Sequence, residues 1–427
     1  MRFTDFKIVE AKRRQKNADK VRGKEPMPKA KPGRVEHPFQ GRLVGESVNL
    51  NEGARIDHAE DLVFWEGSRG AVRALESLRK LEDGGHADVT IKWDGSPAVI
   101  FGRNEDGEFI LTDKSGFGAV GYDGKAKSAR DLEAMLMARP GAKKDPKGYG
   151  KFIANMKDIF DEYEKAVSKD FRGFLKGDLL YFNTPEIKDG YYVFTPNIVT
   201  YSVKVDSDLG NKIGQSKTGV VIHRLVDEDG IEKPLSGTDV DTILQGNEVL
   251  ILPPVTVEQG PNINDSELIG LRNVISKNAK AIDDLINTQT LIQKKMKDLP
   301  KVFYAYMNSK VDTGLDNLGA DFLGWITNHP KLSEPKKKKI AEHIAEHQKG
   351  FTALWSVVSQ IMKVKDEIIN QFDTQDQTVK QEIGSHGPVR PDAHGQGGEG
   401  YVLAHPDGDI KLVPRQYFTK ANRSVER

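Results

Sequence analysis

The chain contains no cysteine. That excludes disulfides and thiolate metal sites, and it fits a reducing, cytoplasmic setting. It also lacks net charge, since 63 Lys and Arg balance 63 Asp and Glu. A nucleic-acid partner therefore has to be argued from local patches and not from the overall field. No apolar run reaches the ~18 residues of a membrane span. The first residues, Met1–Lys7, lack the apolar core of a signal peptide, which argues against export and against a membrane partner.

Within these limits, 427 residues with 37% hydrophobic and 30% charged side chains describe a globular chain with polar additions. The ~150-residue domain prior suggests two or three units. Residues 1–45 read as an N-terminal segment and basic linker. Ten Lys and Arg fall between 11 and 34, broken by Pro26, Pro28 and Pro32. Such a stretch serves as a tether or as an arm for a phosphate backbone.

The most informative stretch is Ile91-Lys92-Trp93-Asp94-Gly95-Ser96-Pro97-Ala98-Val99-Ile100-Phe101-Gly102. Val89, Ile91 and Trp93 alternate with polar neighbours, and Val99–Phe101 is an apolar, β-prone run. Asp94-Gly95 is a turn signal, so a strand, a tight turn and a second strand are expected. Lys92 then ends a strand beside an acid, a position suited to a nucleophile. The alternative is an ordinary hairpin with a solvated lysine.

Val72, Leu75, Leu78 and Leu81 predict a helix over 69–82. A third strand is expected at 109–112. Gly116–Gly121 is a literal GxGxxG, but Tyr122–Lys125 replaces the helix that a dinucleotide fold needs, so it reads as a loop. Helices over 128–138 and 150–168 precede a strand run at 174–182 that carries Asp178 in its middle. Further strands are expected at 191–194, 198–203, 219–223 and 249–252.

From 262 to 384 the pattern is helical. The clearest stripe runs Phe351, Leu354, Trp355, Val358, Ile361, Met362, Lys365, Ile368, Ile369, Phe372. Beyond 388 strands return. Glu399 sits between glycines and leads into Tyr401–Leu403, and Ile410–Val413 follows the Asp407-Gly408 turn. The expected organisation is an α+β domain of 46–260 plus 388–427, interrupted by an all-helical insertion over 262–384.

Taken together, Lys92-Trp93-Asp94-Gly95, Lys176–Tyr181, Glu399-Gly400-Tyr401-Val402 and Ile410–Val413 resemble, in order and on strands, the KxDG, third, EGxV and fifth motifs of the covalent nucleotidyltransferases. These are the ATP-dependent DNA ligases, RNA ligases and mRNA capping enzymes. The Gly-Ser after Asp94 and the Tyr of EGYVL lean toward the RNA-ligase branch. The flanking segments look like uncharacterised bacteriophage proteins predicted to be ligases, which would place the protein in a host cytoplasm.

The resemblance implies a ligase-type adenylation domain with antiparallel sheets, acting on RNA or DNA strand ends with ATP and Mg²⁺ or Mn²⁺. Lys92 is implied as the nucleophile that carries AMP. Asp94, Gly95, Lys114, Asp178, Glu399 and Lys411 are implied as nucleotide-binding residues, with Asp178 and Glu399 also holding the metal. Tyr192 or Phe194 is positioned to stack on adenine or to pack the core.

Three positions depart from the family pattern. Lys114 stands for the usual arginine, Asp178 for the usual glutamate, and Val413 for a second lysine. Only fifteen residues follow Leu412, so the C-terminal oligonucleotide-binding domain of DNA ligases is expected to be missing. These departures define the alternative, a catalytically degenerate relative that binds nucleic-acid ends, or a protein partner through its helical insertion.

Overall fold

The computed structural model describes residues 56–117, 126–233, 235, 240–311, 313–375, 377–383 and 398–416. The basic linker, most of the GxGxxG segment and residues 384–397 lie outside the described residues. The architecture is mixed α+β, with three largely antiparallel sheets and a long helical run between the eleventh and twelfth strands.

The first sheet joins the two ends of the described chain. Its order is β1 (Asp57–His58), β14 (Ile410–Leu412), β13 (Tyr401–Leu403), β2 (Val89–Ile91). Tyr401 lies opposite both Ile91 and Leu412. The second sheet follows the path β10 (Glu232–Lys233), β9 (Thr218–Val226), β5 (Gly173–Tyr181), β3 (Ala98–Arg103), β4 (Phe109–Asp113), and β11 (Val249–Ile251) pairs in parallel with β9. The third stacks β12 (Val379–Ile383), β8 (Val199–Lys204), β7 (Tyr191–Phe194) and β6 (Glu186–Lys188).

Two expectations are corrected here. The stretch 262–384, expected to be all-helical, ends in a strand, since β12 pairs antiparallel with β8 and draws the end of the insertion into the third sheet. The strands flanking Asp94-Gly95 do not pair as a hairpin, because β2 belongs to the first sheet and β3 to the second. Residues 92–97 are instead a connector between sheets. Gly95 presses on β5 so closely that a Cβ would lie 2.6 Å from the Leu179 carbonyl oxygen and 2.8 Å from Asp178 Cβ. Glycine is required there for close approach, not for a two-residue turn. The Ser96 N–H donates to Leu179 O and the Leu179 N–H to Pro97 O, at 2.9 and 3.0 Å, which clamps the connector to β5.

The helices begin where the residue chemistry directs. Ser128 accepts from the Asp131 N–H ahead of Ala129–Met137, and Asp145 from the Gly148 N–H ahead of Pro146–Ala166. Helix Ser68–Lys80 is capped from far along the chain, since Asp283 accepts from the Ser68 N–H and hydroxyl at 2.8 and 2.7 Å. Asp283 lies on helix Asp265–Leu285, the first of the helical run. The stripe of helix Gln348–Thr374 is buried at all ten expected positions, Lys365 included. One continuous core unites this run with the first and third sheets. A second core fills the space between the second sheet and helices Ala129–Met137 and Pro146–Ala166. Among the described residues no helix is long and apolar enough to cross a membrane.

Candidate functional site

Lys92 leaves the end of β2 at the seam between the first two sheets. Its N–H donates to Gly400 O at 3.1 Å, which registers it beside the loop that carries Glu399. The next residues are held from the third sheet. Trp93 is buried against Tyr201 and Phe194, with ring centroids 4.8 and 6.3 Å away, and its indole N–H donates to Pro253 O at 3.1 Å. The Tyr201 hydroxyl accepts from the Asp94 N–H at 2.7 Å and donates to Lys92 O at 3.2 Å. Burial pushes the Tyr201 phenol well above its ordinary value, so it remains a neutral donor. Phe194 belongs to this aromatic support, so the core-packing reading is the one its position gives.

The Lys92 ammonium forms an ion pair with Glu399, which is only 1% exposed. Burial pushes the Lys92 amine from its usual 10.5 to about 8. Asp94 opposes that fall, the charge of Lys411 adds to it, and Asp178 opposes it. Four of the residues singled out in the sequence thus surround the fifth. Gly95 supplies the close packing that brings Asp178 against the connector. Lys114 opens helix Lys114–Phe117 directly after β4, and its side chain lies outside the described residues.

Each acid has its own anchorage. Asp94 Oδ2 accepts from the Asn197 amide at 2.7 Å. Asp178 Oδ2 meets His223 Nε2 at 3.0 Å across the β5–β9 pair. Glu399 Oε2 is buried and has no hydrogen-bond partner among the described residues. An unpartnered buried carboxylate oxygen is costly unless something binds it, so this atom fits a cation or a ligand donor.

The glycines beside Glu399 hold it in place. Gly400 takes a left-handed φ of +107°, and a Cβ there would lie 2.3 Å from Leu412 O. Gln381, on β12, donates to Gly400 O at 3.1 Å. Asp373, near the end of helix Gln348–Thr374, accepts from the Tyr401 hydroxyl at 2.7 Å and from the Gly398 backbone. The helical run therefore reaches the loop of the acid that pairs with Lys92.

Sequence reasoning missed Asn197, Tyr201, His223, Gln381 and Asp373. Each meets the site through sheet pairing or helix docking, and no local spacing announces it.

The arrangement is a half-buried lysine at a sheet seam, facing three carboxylates and a second lysine in an α+β fold. The chain matches DUF6267, a family of unknown function, over residues 53–427, and it belongs to that family. No curated protein and no solved structure matches it.

Proposed function

We propose that this chain is a covalent nucleotidyltransferase, an ATP-dependent polynucleotide ligase that works through Lys92 on nucleic-acid strand ends, RNA foremost. The observation that carries the reading is the convergence of Lys92, Asp94, Asp178, Glu399 and Lys411 from both ends of the sequence. These are the residues the ligase motifs single out, and packing alone gives no reason to gather these charges around a half-buried lysine.

An ordinary lysine is almost wholly protonated at neutral pH and is a poor nucleophile. An amine near 8 is neutral often enough to attack. Glu399 holds the ammonium in the resting site and is the nearest acceptor for its proton. The neutral Nζ then attacks the α-phosphorus of ATP. The P–N bond forms as the P–O bond to the β-phosphate breaks, pyrophosphate leaves, and the nitrogen loses its remaining surplus proton to solvent.

Lys411 and Lys114 neutralise charge on the transferring phosphate, and Asp94 orients the connector. Asp178 and the orphaned Glu399 Oε2 are the donors that fit Mg²⁺ or Mn²⁺, hard cations that take few carboxylates, keep their waters and offset phosphate charge. AMP then passes to a 5′-phosphate, and a 3′-hydroxyl displaces it to seal the strand.

The test is the intact mass of the full chain after incubation with ATP and Mg²⁺, beside Lys92→Ala. The expected result is a gain of one AMP in the wild type and none in the variant. Full adenylation of Lys92→Ala sinks the mechanism. No gain in the wild type, with nucleotide binding intact, favours the degenerate, end-binding reading. Nick sealing on RNA, DNA and hybrid duplexes then separates a ligase from a transferase that modifies ends.

A further inference from the structure

We propose that His343, Glu346 and His347 form a site for one divalent transition-metal ion of the zinc class, at a place where the Lys294 ammonium now stands in for the ion. The site lies in the helical run and is independent of the nucleotidyl-transfer reading.

Positions i, i+3 and i+4 at the end of helix Glu334–Glu346 share one face. Each of the three side chains offers one ligand atom, and these atoms all lie within 4.8 Å of one another. The His343 and His347 rings are 4.5 Å apart between centroids. Two imidazoles and a carboxylate, with a fourth position open, are a donor set that zinc takes and that Mg²⁺ and Ca²⁺ do not favour.

The second observation concerns the His343 tautomer. This ring is 1% exposed, and its Nε2 lies 2.8 Å from the Leu285 carbonyl oxygen. A carbonyl only accepts, so Nε2 carries the proton and Nδ1 keeps its lone pair. A backbone carbonyl fixing one ring N–H so that the other nitrogen faces a cation is how metal-binding histidines are commonly oriented. Nδ1 here faces a cation already, since Lys294 Nζ is 3.2 Å away. The same ammonium is ion-paired with Glu346.

The third observation is access. A cavity of about 270 Å³ opens on the cluster, lined in part by Lys294, Lys339, His343 and Glu346. The Lys294 side chain is 35% exposed and sits at the C-cap of helix Thr288–Gln293, so it can swing into solvent. A tetrahedral ion draws its ligand atoms to about 3.3 Å from one another. Rotation of Glu346 and His347, the less buried pair, supplies that movement while His343 stays fixed. Ligation would then free Lys294 from Glu346 and tie down the corner between helices Glu334–Glu346 and Gln348–Thr374.

The experiment uses the full chain without an affinity tag, stripped with chelator and titrated with ZnCl₂ by calorimetry. Co²⁺ absorption reports the coordination. The expected result is one equivalent bound, tetrahedral Co²⁺ bands, and affinity at least ~10-fold weaker in both Glu346→Gln and His347→Ala. These two replace His343→Ala because the His343 ring is built into the core. Lys294→Ala should bind more tightly than the wild type. Absence of saturable binding, or binding that survives both ligand substitutions, overturns the site. A Lys294→Ala chain that binds zinc no more tightly overturns the stand-in role.

Discussion

Lys92 is balanced between two opposed influences. Burial and the charge of Lys411 favour the neutral amine, while Asp94, Asp178 and the paired Glu399 favour the ammonium. The nucleophile is the neutral form, and its fraction rises about tenfold per pH unit below the midpoint. Self-adenylation should therefore accelerate from pH ~6 to about 8 and level off above that. The same influences fix the direction in which neighbours move the midpoint. Asp94→Asn removes an opposing charge and shifts it to lower pH, whereas Lys411→Met shifts it to higher pH. Single-turnover rates across pH for the three chains test this. Midpoints that stay together, or a flat profile, would show that Lys92 does not govern the step.

At the level of elements, the helical stripe of 351–372 and the strands around Asp178 and Glu399 were legible because their periodicity is local. The pairing of strands was not. Asp94-Gly95 looks like a hairpin turn, yet Gly95 is there to let the connector touch Leu179 on a different sheet. Asp373 was equally hidden, because it works through Tyr401 and Gly398 across the docking of a helix end on a loop.

Burial pushes the Asp373 carboxyl up to about 6, against the lowering effect of those two donors. An acid with a raised folded pKa binds its proton more tightly in the folded state. Its contribution is therefore fully present below the ordinary value of 3.8 and is lost as pH rises to about 6. Asp373→Asn removes that slope. Relative to wild type, the variant should gain up to about 3 kcal/mol between pH ~4 and ~7 in urea unfolding. A stability difference that stays constant with pH would mean that Asp373 is already ionised throughout.

For the whole molecule, the question is whether the helical run is a detachable insertion or part of one cooperative body. Its strongest tie is buried. Lys365 donates to both carboxylate oxygens of Glu60 at 2.9 and 3.0 Å, and Arg415 donates to Glu60 at 3.0 Å. Arg415 also bonds Asn308 on helix Leu299–Ser309 at 2.7 Å and pairs with Asp61 at 2.5 Å. Helix Gln348–Thr374, the turn before the first helices and the residues just after β14 thus share one desolvated network of ions. Charges of this kind are costly singly and tolerable only together, so removing one partner costs about 3–5 kcal/mol. Lys365→Met should destabilise the chain by that order, and the double variant Glu60→Gln, Lys365→Met should recover part of the loss by removing one of the stranded acids. If the network joins run and sheets into one body, far-UV circular dichroism, dominated by the helices, and the fluorescence of Trp93, isolated by replacing Trp65, Trp325 and Trp355 with Phe, should report the same urea midpoint. In Lys365→Met both should move together. A helical signal lost ahead of the fluorescence change would make the run an independently folding insertion, held to the sheets by contacts weaker than this network.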